Sequence, residues 1–133
     1  MKKAEEKVLL YQFIDEEKLQ AIRKVLQHLQ IKSEILPEDA WRDKVGYLLG
    51  IKGFSAASQK EETEEFAFPH EVAVFFNIKH KRLDQVLQAF HEAGIAHIKF
   101  KAVVTPFNTL WTLRRLCETM QKEHAAMVSK DEG

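Results

Sequence analysis

An internal repeat is the feature that most constrains what this chain can fold into. The apolar run Val8–Ile14 returns 64 positions later as Val72–Ile78. At the same offset the spaced apolar residues after the two runs coincide: Leu19 with Leu83, Ile22 with Val86, Leu26 with Phe90 and Ile31 with Ile95. Self-similarity at a fixed offset is the signature of a duplicated supersecondary unit. We therefore expect two copies of a β-α-β-α unit.

The repeat also sets the predicted domain organisation. Residues 1–50 form the first repeat, residues 51–70 a flexible linker and residues 71–133 the second repeat, with both halves in one domain. The linker is rich in small and acidic residues without a clear period, which is typical of a tether. A lid is the alternative, because Phe54, Phe66 and Phe68 could dock over a pocket.

The apolar patterns predict an α/β fold, with α+β as the alternative, built on a four-stranded sheet. Val8–Phe13 and Val72–Phe76 are almost continuously apolar, as strands covered on both faces are. Lys32–Leu36 and His97–Val104 alternate in part and suit the edges. The first and third strands should therefore be central. Periodicity leaves the strand directions open, so the sheet is either ferredoxin-like or a small doubly wound sandwich.

The segment from 99 to 111 carries the most distinctive polar pattern. Thr105 followed by Pro106 is a typical helix start, with threonine as the N-cap. A helix N-terminus attracts phosphates and carboxylates, and lysines on the preceding strand would add charge. A capped turn without a ligand explains the same residues, because every helix must satisfy its end. As a ligand site, the pattern predicts Lys99, Lys101, Thr105, Asn108 and Trp111.

A second candidate site depends on the direction of the central strands. If they are parallel neighbours, a crevice opens beyond their carboxyl ends. The polar residues expected there are Gln12, Asp15, Asn77, Lys79 and His80. If the strands are antiparallel, these residues lie at opposite ends of the sheet and the crevice does not form.

Composition excludes several classes of function. Lys plus Arg and Asp plus Glu are 20 each, and this balance disfavours a nucleic-acid partner. The single cysteine predicts a reducing, cytoplasmic location. No apolar run approaches the ~20 residues of a membrane helix. The six histidines show no metal-ligand spacing and no cofactor fingerprint is present, so we expect no metal and no cofactor.

The second half resembles a known family of small bacterial proteins, the domain of unknown function 3783. The residues that carry the resemblance are the stretch Lys101–Asn108, followed by Trp111, Leu116, Glu118, Glu123 and His124. The family pattern is Lys-Ala-Val-x-Thr-x-x-Asn before a tryptophan and an acidic helix, and the resemblance extends from Glu71 to about Met127. In the first half Asp39 stands where Asn108 does, and the Lys-Ala-Val element is missing. The resemblance implies a soluble bacterial α/β protein and supplies no activity.

These observations favour a non-enzymatic module that senses a ligand or binds another protein. A small anionic ligand fits the lysines, and the edge strands of a small sheet offer a route to a homodimer. The alternative is a small enzyme that acts on an anionic substrate through Lys101, Thr105 and Asn108. Since no recognised catalytic set is present, whether the protein is an enzyme stays open at the level of sequence.

Overall fold

The fold is taken from a computed structural model that describes residues 5–56, 66 and 68–132, with side chains described as far as His124. Its elements follow the chain in this order: β1 (Lys7–Tyr11), α1 (Glu16–His28), β2 (Lys32–Ile35), a 3-10 turn (Glu38–Arg42), α2 (Val45–Leu48), β3 (Val72–Phe76), α3 (His80–Glu92), β4 (Phe100–Val103), a second 3-10 turn (Asn108–Leu110) and α4 (Leu113–Glu132). Among the described residues, no helix is long and apolar enough to cross a membrane.

The chain divides into two compact units, and each takes a segment from both predicted repeats. The first unit comprises Met1–Pro37 and Pro69–Val104, and the second comprises Glu38–Phe68 and Thr105–Gly133. Within each predicted repeat, the boundary between the units follows the second strand. The duplication itself stays a prediction, because any two β-α-β segments share this order of elements.

The first unit contains a four-stranded sheet in the order β2-β1-β3-β4. The prediction that the first and third strands are central is confirmed, and so is the mixed α/β class. β1 pairs with β2 and β3 pairs with β4 in parallel, whereas β1 and β3 are antiparallel, with Leu9 opposite Val74. The apolar residues of β1 and β3 are buried whether the two strands run parallel or antiparallel. The periodicity of the sequence therefore does not determine the strand direction.

Helices α1 and α3 cover one face of this sheet. The buried cluster joins Val8 and Leu10 of β1 and Phe75 of β3 to the apolar stripes of both helices. From α1 it takes Leu19, Ile22 and Leu26, and from α3 Val86 and Phe90. The i, i+3, i+7 spacing predicted for α1 is therefore its buried face.

The two helices end in the same way. After each helix the chain enters the left-handed region, at Gln30 with φ 62° and at Gly94 with φ 75°. The next residue then donates its N–H back into the last turn, from Ile31 to the Leu26 carbonyl at 2.8 Å and from Ile95 to the Phe90 carbonyl at 3.0 Å. This arrangement is the Schellman motif. Gly94 follows the apolar stripe that ends at Phe90, so the sequence predicts the helix end that the structure shows there.

In the second unit the predicted last helix begins later than its sequence pattern indicated. The apolar stripe of Leu113, Leu116, Cys117, Met120 and Met127 predicts a helix from about Asn108 to Val128. Trp111 is instead extended, with ψ 148°, and separates the 3-10 turn from α4. Thr112 forms an antiparallel bridge with Lys44, and the Leu113 N–H donates to the Asp43 carbonyl at 2.9 Å. Two short segments far apart in sequence therefore pair at the start of α4.

Half of the predicted linker 51–70 lies outside the described residues, since 57–65 and 67 are not described. The aromatic side chains at its two ends pack within the second unit. Phe54 lies against Gly46, and Phe68 is buried. Phe66 stacks on Phe68 with ring centroids 5.9 Å apart and meets Trp41 at 6.0 Å.

Candidate functional site

The first predicted site is divided between the two units. Lys99 and Lys101 belong to the first unit, whereas Thr105, Asn108 and Trp111 belong to the second.

Thr105 and Asn108 form a closed turn. The Thr105 N–H donates to Asn108 Oδ1 at 2.8 Å, and the Asn108 N–H donates to Thr105 Oγ1 at 3.1 Å. This is the reciprocal pattern of a capping box, with asparagine in the position usual for glutamate or glutamine. Asn108 is buried, and the 3-10 turn that it opens extends only to Leu110. The groups expected to hold an anion therefore bond to each other, as in a capped turn without a ligand.

The aromatic and lysine members at the ends of the predicted site lie near the surface. Arg115 stacks over the Trp111 ring, with the guanidinium carbon 4.4 Å from the centroid. Lys99 precedes β4, is exposed and holds its ammonium 5.4 Å from the Phe100 ring centroid. Trp111 and Lys99 therefore each take part in a cation–π contact of the kind common on protein surfaces.

Lys101 differs from these residues because its ammonium is half-buried. It lies on β4 opposite Ala73, on the face covered by α1 and α3. Its Nζ donates to the Ile98 carbonyl at 2.8 Å, and burial lowers the pKa of the amine. Burial of the ammonium is the cause of the lower pKa. No nearby carboxylate among the described residues raises the pKa again.

A cleft of about 240 Å³ surrounds Lys101. The last turns of α3 form one wall, and the segment leading from Gly94 into β4 forms the other. The left-handed turn at Gly94 reverses the chain and so brings these two segments together. Besides Lys101, the cleft is lined by apolar side chains and two imidazoles, namely Leu87, Phe90, His91, Ile95, Ala96, His97 and Ile98.

Other half-buried cations of the first unit have carboxylate partners. Lys18 Nζ lies 2.6 Å from the Glu71 carboxylate. Arg82 Nε lies 3.0 Å from the Glu6 carboxylate, and Arg82 also donates to the Leu29 carbonyl at 2.6 Å. Burying a charge costs free energy unless it is paired, and these pairs show how the fold meets that cost elsewhere.

The second predicted crevice does not form. Because β1 and β3 are antiparallel, with Lys7 opposite Phe76 and Tyr11 opposite Val72, their carboxyl ends lie at opposite ends of the sheet. Gln12 and Asp15 follow β1, whereas Asn77, Lys79 and His80 follow β3. Asp15 instead caps α1 by accepting from the Lys18 N–H at 3.1 Å.

Two members of that set line a different cavity, of about 750 Å³. Asn77 and Lys79 meet the ion pair of Glu6 and Arg82 there, together with the end of α1. Sequence reasoning did not find this pair, since 76 positions separate its members and no local pattern joins them. His80 is exposed and lies 3.7 Å from Asp84 of its own helix.

The remaining candidate chemistry is limited. Cys117 is buried, and burial raises the pKa of its thiol to about 12, so it stays protonated at neutral pH. Within the described residues, no group of three or more His, Cys, Asp or Glu side chains is placed to hold a metal ion.

Comparison with known proteins gives one result. Residues 71–127 match the model of a domain of unknown function (DUF3783). The match covers the segment in which the sequence resemblance was found, and it contains both the cleft around Lys101 and the turn at Thr105. No curated protein and no solved structure matches the chain.

Proposed function

We propose that this protein is a non-enzymatic ligand-sensing module that binds a small anion in the cleft around Lys101. The observation that carries the proposal is the half-buried ammonium, whose pKa is lowered by burial alone. A phosphate or a carboxylate in the cleft would supply the counter-charge that the described residues do not.

The cleft offers the donors that such an anion requires. An ammonium has three N–H donors, and the Ile98 carbonyl accepts from one of them. His91 and His97 line the same cleft and would add positive charge when protonated. The buried side chains of Phe90 and Ile98 in the same lining keep water from one side of Lys101, which strengthens its attraction to an anion.

The position of the cleft also supports the proposal. All of its lining residues, from Leu87 to Lys101, fall inside the matched segment 71–127. The Lys-Ala-Val element of the resemblance begins at Lys101. A ligand site here would lie in the part of the chain that the family model describes.

Calorimetry and thermal unfolding with inorganic phosphate and with acetate test the proposal. At one hundred times its dissociation constant, an anion stabilises the folded state by ~2.7 kcal/mol. We expect the anion to stabilise the wild type and the control variant Lys99→Met, in which an exposed lysine is replaced. We expect no such stabilisation of Lys101→Met. Comparing phosphate with acetate identifies the anion class. An equal gain in Lys101→Met, or no gain with either anion in wild type, would contradict the proposal.

The unliganded stability of Lys101→Met is a second readout. Methionine keeps much of the side-chain volume and removes a charge that is desolvated without a carboxylate partner. We expect this variant to be more stable than wild type by about 0.5–1 kcal/mol without added anion. A large loss of stability would mean that the ammonium has a structural role through the Ile98 carbonyl.

A small enzyme is the second candidate, and the lowered pKa of Lys101 favours it. A lower pKa increases the fraction of neutral amine, which can attack a carbonyl carbon with loss of water to form an imine. Borohydride reduction in the presence of pyruvate would then add a stable mass to Lys101. An unmodified protein after reduction would contradict this alternative.

A further inference from the structure

The outer edge of β2 is open. β2 is the end strand of the sheet, and no strand in the described part of the chain pairs with its outer side. The Lys32 N–H donates to the Glu6 carbonyl at 3.2 Å and the Leu36 N–H to the Leu10 carbonyl at 2.9 Å, both on the β1 side. Because backbone groups alternate along a strand, those of Ser33 and Ile35 point away from β1.

This edge is accessible to another chain. Ile35 is 45% exposed, and Lys32 and Glu34 are also exposed. A groove of about 700 Å³ runs beside the edge between β2 and α1, lined by Ile31, Lys32, Ser33 and polar side chains of the helix. An open edge of this kind is a template for strand addition.

The charges along the edge of β2 are complementary to those of a second, antiparallel copy of the same strand. Read in either direction from Ser33, the segment Ile31–Ile35 presents a charged residue and then an isoleucine, with lysine on one side and glutamate on the other. We propose that β2 pairs in antiparallel fashion with β2 of a second copy of this chain, centred on Ser33, to form a symmetric dimer with a continuous sheet. This inference does not depend on the anion site.

The centred pairing satisfies both the backbone and the charges. Since Ser33 points its N–H and carbonyl outward, it forms the hydrogen-bonded pair with Ser33 of the second copy. Lys32 then faces Glu34 of the second copy in the non-hydrogen-bonded position, where side chains approach most closely. Ile35 of each copy comes opposite Ile31 of the other, which is buried and whose N–H already donates to the Leu26 carbonyl, so the backbone pairing is confined to the residues around Ser33.

The opposite edge of the sheet lacks this complementarity. On β4 the Val104 N–H donates to the Phe75 carbonyl at 2.9 Å, so Lys101 and Val103 point their backbone groups outward. A symmetric antiparallel pairing centred on Lys101 would place two lysines opposite each other, which is unfavourable. A pairing centred on Val103 would place Ala102 opposite Val104, with no pair of opposite charges. Charge complementarity therefore selects β2 over β4.

The charges on β2 already have partners within the chain. Lys32 lies 2.5 Å from the Glu5 carboxylate, and Lys7 lies 3.1 Å from the Glu34 carboxylate. Exposed pairs such as these contribute about 0–1 kcal/mol each. They leave the exposed carboxylate and ammonium able to interact across a dimer interface as well.

Sedimentation velocity and light scattering, at protein concentrations from micromolar to millimolar, test the proposal. We expect wild type to dimerise with increasing concentration. Lys32→Glu places two glutamates opposite each other at each contact, and Glu34→Lys places two lysines there, so each variant alone should stay monomeric. An equimolar mixture of the two should dimerise, because every contact is again between opposite charges.

Two further variants keep the result interpretable. The exchange Lys32→Glu with Glu34→Lys restores complementary pairs and should dimerise like wild type. Ser33→Pro removes an outward N–H that β1 does not use, so it should block the dimer while circular dichroism stays unchanged. Lys81→Glu, an exposed reversal on α3, is the control and should behave as wild type. A monomeric wild type at every concentration, or a dimer that persists in both single charge variants, would overturn the proposal.

Discussion

Thr105 and Asn108 bond to each other in both directions, backbone N–H to side-chain oxygen at 2.8 Å and 3.1 Å. The sequence predicts Thr105 as an N-cap, and the structure shows that one closed turn uses both Thr105 and Asn108. Thr109 adds to it by donating its hydroxyl to the Pro106 carbonyl at 2.9 Å. The part of the segment 99–111 from Thr105 to Asn108 is therefore accounted for by the geometry of the turn.

We predict that Asn108→Ala destabilises the protein by about 1–2 kcal/mol, because it removes the buried amide of Asn108 and the acceptor of the Thr105 N–H. Thr105→Ala should cost about 1 kcal/mol. The double variant should cost less than the sum, since each single change already breaks the reciprocal turn. Denaturant unfolding measures all three, and exact additivity would mean that the two residues are not coupled. Anion binding at Lys101 should be unchanged in these variants.

How much of the fold the sequence predicts depends on which interactions are local. The central strands were found because residues 8–13 and 72–76 are apolar on both faces, and Gly94 marked a helix end because only glycine enters the left-handed region without strain. The sequence does not predict the strand direction, because the same residues are buried whether β1 and β3 run parallel or antiparallel. The second candidate crevice was wrong for that reason alone.

The candidate site shows the same division. Lys101 was found because it lies in a distinctive local pattern, but its neighbours in the cleft were not. His91 and His97 approach Lys101 through the reversal after α3, which carries no motif of its own. The carboxylates that pair with Lys18 and Arg82 are likewise remote in sequence, at Glu71 and Glu6. Which half-buried lysine has no carboxylate partner among the described residues therefore becomes visible only in the fold.

We predict that Gln30→Gly stabilises the protein by about 0.5–1 kcal/mol. Gln30 has φ 62°, a conformation that costs a residue with a Cβ more than it costs glycine. Gly94 occupies the equivalent position after α3 with φ 75°, so Gly94→Gln is the matched reverse change and should destabilise by a similar amount. Thermal and denaturant unfolding measure both. A loss of stability in Gln30→Gly would mean that the glutamine side chain makes a compensating contact.

We predict that the effect of Gly46→Ala depends on Phe54. A Cβ at position 46 would lie 2.5 Å from the Phe54 ring, closer than real contacts allow, so the ring must move. We expect a loss of about 1–3 kcal/mol in the wild-type background. In a Phe54→Ala background the same change should be neutral or stabilising by up to about 1 kcal/mol, because alanine is the better helix former. The same loss in both backgrounds would contradict the docking of Phe54 on α2.

We predict that the free energy of unfolding at alkaline pH depends on the ionisation of the buried Cys117 thiol. Its pKa rises from 9.0 to about 12 on folding, so above pH 9.0 the unfolded chain releases a proton that the folded chain keeps. The free energy of unfolding should therefore fall above that pH, by up to about 1.4 kcal/mol per pH unit from this group. Lys101 acts in the opposite sense, because its lowered pKa makes the unfolded state bind more protons in the alkaline range.

Two variants, measured by urea unfolding across the alkaline range, separate the contributions of Cys117 and Lys101 to the pH dependence of the free energy of unfolding. Cys117→Ala loses some packing at every pH, but it should flatten the fall above pH 9.0, since the group that titrates only on unfolding is gone. Lys101→Met should make the fall steeper, because the opposing contribution is removed. The folded thiol should also react with iodoacetamide far more slowly than the unfolded one. A pH slope that Cys117→Ala leaves unchanged would contradict the raised pKa of the buried thiol.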